Sequence, residues 1–245
     1  MNRIEEKIRE QSSLCHKMLA VLLDPENLTD TLSVKCIGEE IAAGRPDFVF
    51  IGGSTYVGDT TKLIRTLREY AHDVPIVLFP GHPTQFSSEA DAVLFLSLIS
   101  GDNPDALIGW HVESARAVRD SGVEAIPMGY ILVGDANSST ARVTHTHGIA
   151  QSDVKRIADT AIAGELLGMR LIYLEAGSGA GEPLQQTVIR TVKRDIKSPL
   201  IVGGGIHTAE QARAAWQAGA DIVVVGNHLE QYPEDLKQLC EARNN

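Results

Sequence analysis

Apolar runs of strand length alternate with amphipathic stretches along most of the chain. Each run is continuously apolar, which is typical of parallel strands that are covered on both faces. The pattern predicts strands at 18–24, 47–53, 75–81, 91–100, 124–133, 169–178, 199–205 and 220–227. The spacing of apolar residues in the intervals predicts helices at 28–43, 59–71, 103–121, 151–168, 183–196, 207–218 and 229–243. A charged amphipathic helix, MNRIEEKIRE, precedes the first strand.

This order of elements predicts an α/β fold. Eight strand-helix repeats without an intervening linker favour one domain over residues 1–245, a (β/α)8 TIM barrel with an extra N-terminal helix. Only the connection between Pro80 and Ala90 is too short for a full helix. An open doubly wound sheet is the alternative.

Composition supports a folded protein without a membrane span. Apolar residues make up 43% and charged residues 22% of the chain, as in ordinary globular domains. No stretch of eighteen apolar residues occurs, and the first helix has no apolar signal core, so we expect a cytoplasmic protein. The three cysteines, Cys15, Cys36 and Cys240, form no CxxC pair, which favours reduced, buried thiols in the same compartment.

The net charge of the chain limits the classes of partner that it is expected to bind. The formal net charge is −10 and no run of Lys or Arg occurs, so we expect no nucleic-acid partner. A small anion is still compatible with this charge, because backbone N–H groups and helix N-termini bind phosphate without basic side chains.

Glycine or polar residues follow most of the predicted strands. Because the carboxyl ends of barrel strands share one mouth, residues far apart in sequence become neighbours there. The residues that follow the predicted strands are Asp24, Gly52–Ser54, Gly81, Glu175–Gly179, Gly203–Gly205 and Gly226–Asn227.

The glycines after the seventh and eighth strands predict a phosphate site. They remove side chains where a phosphate must approach the backbone, and the helix near His207 would direct its N-terminus at the anion. The alternative is that each glycine only makes a tight turn.

Three side chains at the mouth are candidates for chemistry. The Asp24 carboxylate could bind Mg²⁺, or it could cap the following turn. Glu175 would face a partly desolvated cavity and could act as a general base, although an isolated Glu is usually a surface charge. Tyr173 could donate a hydrogen bond, or simply fill the barrel interior.

The longest polar interval, residues 134–150, follows the fifth predicted strand. It is interpreted either as a lid over the mouth or as a long surface loop. His145 and His147 within it have no further ligand at a suitable spacing, so no metal site is predicted there.

Several motifs together resemble one family over nearly the whole chain. The family is that of the geranylgeranylglyceryl phosphate synthases, prenyltransferases related to bacterial heptaprenylglyceryl phosphate synthase. The motifs are LLDPEN (22–27), FIGGST (50–55), FPG (79–81), ADAVLFLSLISGDNP (90–104), LIG (107–109), GYILV (129–133), YLEAGSGA (173–180), VGGGI (202–206) and VVGN (224–227).

The resemblance implies a reaction and its participants. Members join the C3 hydroxyl of sn-glycerol 1-phosphate to C1 of a polyprenyl diphosphate, here geranylgeranyl diphosphate, release diphosphate and require Mg²⁺. By position, Asp24 and Ser54 are implied as metal ligands and Glu175 as the base. The positions implied in binding glycerol phosphate are Tyr173, Glu175, Gly177, Ser178, Gly203, Gly204, Gly226 and Asn227. An apolar groove for the prenyl chain, a homo-oligomer and transient membrane contact are also expected.

Two other functions fit the mouth residues. A phosphosugar isomerase could use the same phosphate site, since many chemistries share it. A phosphate-ligand sensor without catalysis is the second alternative, but both a metal carboxylate and a base would be unnecessary in it.

Overall fold

The computed structural model describes residues 3–53, 58–134, 138–177 and 179–243. Eight parallel strands follow one another in chain order around a closed barrel. They are β1 (Met18–Leu23), β2 (Phe48–Ile51), β3 (Ile76–Leu78), β4 (Ala92–Leu98), β5 (Glu124–Leu132), β6 (Leu171–Glu175), β7 (Leu200–Gly203) and β8 (Ile222–Val225). Because β8 pairs with β1, the predicted (β/α)8 TIM barrel is confirmed and the open sheet is excluded.

Helices lie before, between and after the strands. They are α1 (Ile4–Ser13), α2 (Thr31–Gly44), α3 (Thr60–Tyr70), α4 (Trp110–Ser121), α5 (Ser139–Thr144), α6 (Val154–Leu166), α7 (Gln186–Asp195), α8 (Ala209–Ala218), α9 (Asn227–Gln231) and α10 (Leu236–Arg243). Between β3 and β4 there is only a short 3₁₀ turn, Pro83–Gln85, as the length of that connection predicts.

The strands bury both of their faces, which explains their continuous apolar runs. In β1, Met18 and Ala20 face the barrel interior together with Phe48 of β2. Leu19 and Val21 face the surrounding helices. Burial on two sides is the physical reason that no period-two alternation is visible in the sequence.

The extra helix α1 closes the N-terminal end of the barrel. Ile8 is fully buried with the interior side chains, and Glu124 at the start of β5 accepts hydrogen bonds from the backbone N–H groups of Ile4 and Glu5. The opposite end, where the strands have their carboxyl ends, therefore provides the mouth.

Three predicted segments differ from the structure in detail. The helix expected at 103–121 begins with a π turn, Asp105–Gly109, before α4. The helix expected at 229–243 is divided into α9 and α10, because Pro233 lacks the N–H that would continue α9. The interval 134–150 contains α5, whose N-terminus is capped by the Ser138 hydroxyl.

The cysteines are only partly as expected. All three thiols are free, and Cys240 is buried, but Cys15 and Cys36 are exposed, so the expectation of three buried thiols was wrong. Among the described residues, no helix has both the length and the apolar character needed to cross a bilayer.

Candidate active site

Two cavities meet at the mouth of the barrel. The glycine cavity encloses about 460 Å³ at the ends of β6, β7 and β8. Its lining residues are Leu22, Tyr173, Glu175, Gly179, Gly204, Gly205, Ile206, His207, Val224, Gly226, Asn227 and His228. The apolar cavity encloses about 780 Å³ beside it. Leu22, Glu175 and Asn227 line both cavities, so they form the boundary between the two.

Gly204 and Gly205 bring bare backbone to the glycine cavity. Their φ values are +84° and +68°, in the left-handed region that favours glycine. A Cβ on Gly204 would lie 2.4 Å from Glu175 Oε1 and 2.9 Å from the nitrogens of Ala176 and Gly177. Glycine is therefore required here both by the backbone conformation and by the space.

Gly203 makes room for the hydroxyl of Tyr173. A Cβ on Gly203 would lie 2.0 Å from Tyr173 Oη. Tyr173 is fully buried, and its hydroxyl has no hydrogen-bond partner in the part of the chain that the structure describes. Burial raises the pKa of Tyr173 well above its usual value, so the phenol stays protonated. Its O–H group can therefore donate a hydrogen bond to a ligand in the cavity.

Glu175 is the buried carboxyl at the boundary of the two cavities. It lies two residues after Tyr173 on β6, so it shares the interior side of the strand, and only 5% of its surface is exposed. Burial raises its pKa to about 7, although the Gly177 N–H, which donates to Oε1 over 2.7 Å, and the nearby Tyr173 hydroxyl act in the opposite direction. Since Tyr173 makes no well-aligned hydrogen bond, loss of hydration sets the titration of this carboxyl.

The N-terminus of α8 carries a capping box. The Thr208 hydroxyl accepts from the backbone N–H of Gln211, and the Gln211 side chain accepts from those of His207 and Thr208. This capping box engages the backbone N–H groups of His207, Thr208 and Gln211. These three N–H groups are therefore not available to an anion in the glycine cavity.

The apolar cavity is a groove with one polar end. Its apolar lining consists of Leu22, Phe79, Leu96, Leu98, Ala106, Trp110, Tyr130 and Val143. The rings of Phe79 and Tyr130 each stack on Tyr173 with a centroid distance of 5.2 Å. Trp110 contacts the His82 ring edge-on at 5.7 Å, and α5 contributes Val143 to the wall. The cavity thus has an aromatic floor next to Glu175.

Asp24 lies at the polar end of the apolar cavity. Its Oδ1 accepts from the Glu26 N–H over 3.0 Å, and a Cβ on Gly53 would lie 2.0 Å from Oδ2. Burial raises the pKa of Asp24 above its usual value, with a smaller opposing effect from the Glu26 N–H. The carboxylate is therefore close to backbone that has no side chain, at a place where a ligand can approach.

Glu230 is a second carboxyl at this end, and it was not among the residues predicted from the sequence. It accepts from the Asp24 N–H over 2.6 Å and from Asn27 Nδ2 over 2.7 Å. Burial raises the pKa of Glu230, and the negative charge of Asp24 adds to the rise. Its position three residues after Asn227 was the available signal, since one helical turn separates the two residues.

These two carboxyls could supply some, but not all, of the ligands that a hard cation needs. Across the described ranges, no group of three His, Cys, Asp or Glu side chains is placed to hold a metal ion. Mg²⁺ is commonly held by one or two carboxylates together with phosphate oxygens. Asp24 has the type of oxygen ligand that such a site would need, and Glu230 lies behind it in contact with its backbone N–H.

The structure brings most of the predicted site residues together. Tyr173, Glu175, Gly204, Gly226 and Asn227 line the glycine cavity. Gly203 and Gly177 contact two of these side chains, and Asp24 lies in the adjoining cavity. Ser54 and Ser178, predicted to bind metal and substrate, lie outside the described residues.

Comparison with known proteins gives one consistent family. A profile of the PcrB family matches residues 10–243. The geranylgeranylglyceryl phosphate synthase of Chitinophaga pinensis is 40% identical over 98% of this chain and 96% of the relative. That of Thermococcus kodakarensis is 39% identical, over 94% of this chain and 90% of the relative.

Solved structures agree with the sequence comparison. The (S)-3-O-geranylgeranylglyceryl phosphate synthase of Thermoplasma acidophilum, in complex with its substrate sn-glycerol-1-phosphate, superposes with a TM-score of 0.91. Its sequence is 33% identical, and the match covers 99% of this chain and 98% of the other.

Proposed function

The chain belongs to the PcrB family and is a prenyltransferase, and from this premise we propose that it transfers a geranylgeranyl group to sn-glycerol 1-phosphate. The donor is geranylgeranyl diphosphate, and the acceptor is the C3 hydroxyl. The products are an ether-lipid precursor and diphosphate.

The observation that carries this proposal is the place of Glu175 between two cavities of different chemistry. The glycine cavity suits a small phosphate ester, because bare backbone and the Tyr173 hydroxyl line it. The apolar cavity suits a prenyl chain, because its walls are aliphatic and aromatic. A carboxyl shared by both can contact the hydroxyl of one substrate where it faces the reacting carbon of the other.

The chemical step needs a base and a leaving group on opposite sides of the new bond. Glu175 accepts the proton of the C3 hydroxyl while that oxygen bonds to C1 of the prenyl chain. The bond from C1 to the diphosphate oxygen breaks, and its electron pair leaves with the diphosphate. The faces of Phe79 and Tyr130 stabilise positive charge that develops on the allylic carbon.

The diphosphate is expected at the polar end of the apolar cavity. Asp24 would hold Mg²⁺ there, and Glu230 orients the Asp24 backbone through its N–H. The resemblance implies Ser54 as a second ligand. When bound, Mg²⁺ neutralises the negative charge of the leaving group. Without a cation, the Asp24 carboxylate would repel the diphosphate, because both are anions in a partly buried site.

Asp24→Asn tests the assignment of the metal. The change is nearly isosteric, so the fold should persist, but one anionic oxygen is lost. We expect the Mg²⁺ concentration for half-maximal turnover to rise about tenfold or more, the size of one lost charge-assisted contact. The control is Asp73→Asn, an exposed carboxylate that pairs with His72 remote from the mouth. An unchanged Mg²⁺ titration would assign Asp24 to the turn alone.

One incubation separates the proposed function from the two alternatives. With Mg²⁺, geranylgeranyl diphosphate and sn-glycerol 1-phosphate present, diphosphate release supports prenyl transfer. Isomerisation of phosphosugars without a prenyl donor would support the isomerase. Binding of phosphate esters without any turnover would support the sensor.

The hydrophobic prenyl substrate also bears on where the protein acts and on its oligomeric state. We propose a cytoplasmic homo-oligomer that contacts membranes transiently to exchange its hydrophobic substrate and product. The exposed side chains of Ile108 and Val112, beside Trp110, support apolar contacts next to the mouth. Sedimentation with liposomes containing geranylgeranyl diphosphate should recover part of the protein, and sedimentation velocity should show more than the monomer. Absence of co-sedimentation, or a monomer at all concentrations, would contradict the respective proposal.

A further inference from the structure

The glycine cavity has no permanently charged cation in its lining. Among its described lining residues there is no Lys or Arg, and Glu175 contributes a carboxyl. A phosphate monoester carries up to two negative charges, and the chain as a whole has a net charge of −10. His207 and His228 are the lining side chains that can become positive.

The two imidazoles form a connected pair at one side of the cavity. Their ring centroids are 5.5 Å apart and the ring planes are inclined by 66°. His228 Nε2 lies 2.7 Å from Asp235 Oδ2, and the centroid of the Tyr232 ring lies 5.2 Å from that of His228. Asp235 and Tyr232 thus fix the orientation of His228, which supports His207.

The His207 ring is available to a ligand. Its backbone N–H is used by the Gln211 side chain over 2.7 Å, so this residue cannot offer a main-chain donor. Its ring nitrogens have no hydrogen-bond partner among the residues for which the structure gives positions. An unpaired imidazole that lines the glycine cavity is suited to donate a charge-assisted hydrogen bond to a phosphate once it is protonated.

We propose that His207, supported by His228 and Asp235, is the cationic part of the phosphate site, and that phosphate binding is coupled to protonation of this pair. The proposal rests on the proposed function for the identity of the ester, but its chemistry requires only a phosphate group. His207 contacts the phosphate, whereas His228 and Asp235 position it. Capture of the acceptor substrate then becomes weaker as the pH rises and the imidazoles become neutral.

Other titratable groups surround the pair and must be separated from it. They are Asp235 on the 3₁₀ turn after α9, Tyr232 at the end of α9, and Glu175 and Tyr173 on β6 across the cavity. The phosphate itself has a second pKa of about 6. Because all of these groups remain in a histidine variant, the ratio of variant to wild-type affinity at one pH reports the histidine alone.

Calorimetric titration with sn-glycerol 1-phosphate, and separately with inorganic phosphate, tests the proposal. We expect His207→Gln and His228→Gln to bind about tenfold more weakly than the wild type near pH 6, and to approach it near pH 8.5. His207→Arg should keep tight binding near pH 8.5, because its charge does not titrate. His72→Gln, a histidine remote from the mouth, is the control and should match the wild type at both pH values.

The outcomes distinguish this inference from the proposed function. Equal affinity of all variants at both pH values would overturn the inference, and so would an equal loss at both, since a neutral packing role predicts that. Loss of binding by His207→Arg near pH 8.5 would also overturn it. If phosphate binds through the histidines but the wild type transfers no prenyl group, the proposed function is wrong and the phosphate site stands.

Discussion

Glu175→Gln should lower turnover by about 10²- to 10⁴-fold, the usual contribution of a general base, while the affinity for glycerol phosphate changes much less. The amide keeps the approximate size of the side chain and can still accept from the Gly177 N–H. It cannot accept the proton of the C3 hydroxyl. Steady-state turnover and substrate binding, measured on the same preparation, should therefore separate.

The pH dependence of the wild type gives the same assignment independently. Because the pKa of Glu175 is raised to about 7 by burial, turnover should rise as the pH increases through this value and the carboxyl ionises. In the Glu175→Gln variant, this rise of turnover near pH 7 should be absent. The pH–rate profile must be read from turnover at saturating substrate, since phosphate binding is expected to titrate separately.

Stability should change in the opposite sense to activity. The folded-state pKa of about 7 lies above the ordinary value of 4.5, so the neutral form is favoured by folding and its contribution is lost as the pH rises through 7. A shift of this size corresponds to about 3 kcal/mol. The Gln variant should then unfold at a higher temperature than the wild type near pH 8, which excludes unfolding as the reason for low turnover.

Glu113→Gln is the matched control, because Glu113 is an exposed carboxylate on α4. It should leave turnover, affinity and the pH–rate profile unchanged. Nearly normal turnover of Glu175→Gln would exclude this residue as the base. A parallel collapse of binding and turnover in a well-folded variant would assign it to holding the glycerol hydroxyls instead.

Gly204→Asp should weaken glycerol phosphate binding on the order of a hundredfold, because the new side chain fills part of the glycine cavity and adds a negative charge beside the phosphate. A side chain at this position occupies the space next to Glu175 Oε1 and the nitrogens of Ala176 and Gly177. Titration of the folded variant with glycerol phosphate gives the affinity directly.

Gly122→Asp controls for backbone strain. Gly122 has a φ of +77°, close to the +84° of Gly204, but a Cβ there meets nothing within 4 Å. Both variants should lose about 1 kcal/mol or more of stability from the left-handed backbone. Only Gly204→Asp should lose affinity, and an unchanged affinity would place the phosphate elsewhere.

The barrel could be predicted from the sequence because its signals are local and repeated. Continuous apolar runs, such as those of β1 and β8, report strands buried on two sides, and their number and order leave few topologies. The end of α9 was not predicted, because the helical periodicity after it continues beyond Pro233. The π turn before α4 has no sequence signature that differs from a helical turn.

The site residues that directly follow strands could be predicted from the sequence. Those whose role depends on tertiary contacts were harder to predict. Glu175 and Gly204 could be found because strand ends converge at the mouth. Glu230 was missed because its position three residues after Asn227 is a weak signal, and its contact with the Asp24 N–H depends on the tertiary structure. Similarly, the capping contact of the Gln211 side chain at the N-terminus of α8 was not predicted from the sequence. These features depend on side-chain orientation, which spacing alone does not determine.

The most direct test of the account is to follow an isotopically labelled C3 oxygen of sn-glycerol 1-phosphate through the reaction. The wild-type protein, Mg²⁺ and geranylgeranyl diphosphate are incubated with the labelled acceptor, and both products are analysed by mass spectrometry. The account predicts the label in the ether bond of a geranylgeranylglyceryl phosphate and unlabelled diphosphate, in equal amounts. Label in the diphosphate, or diphosphate release without an ether product, would contradict attack by the glycerol hydroxyl on the prenyl carbon.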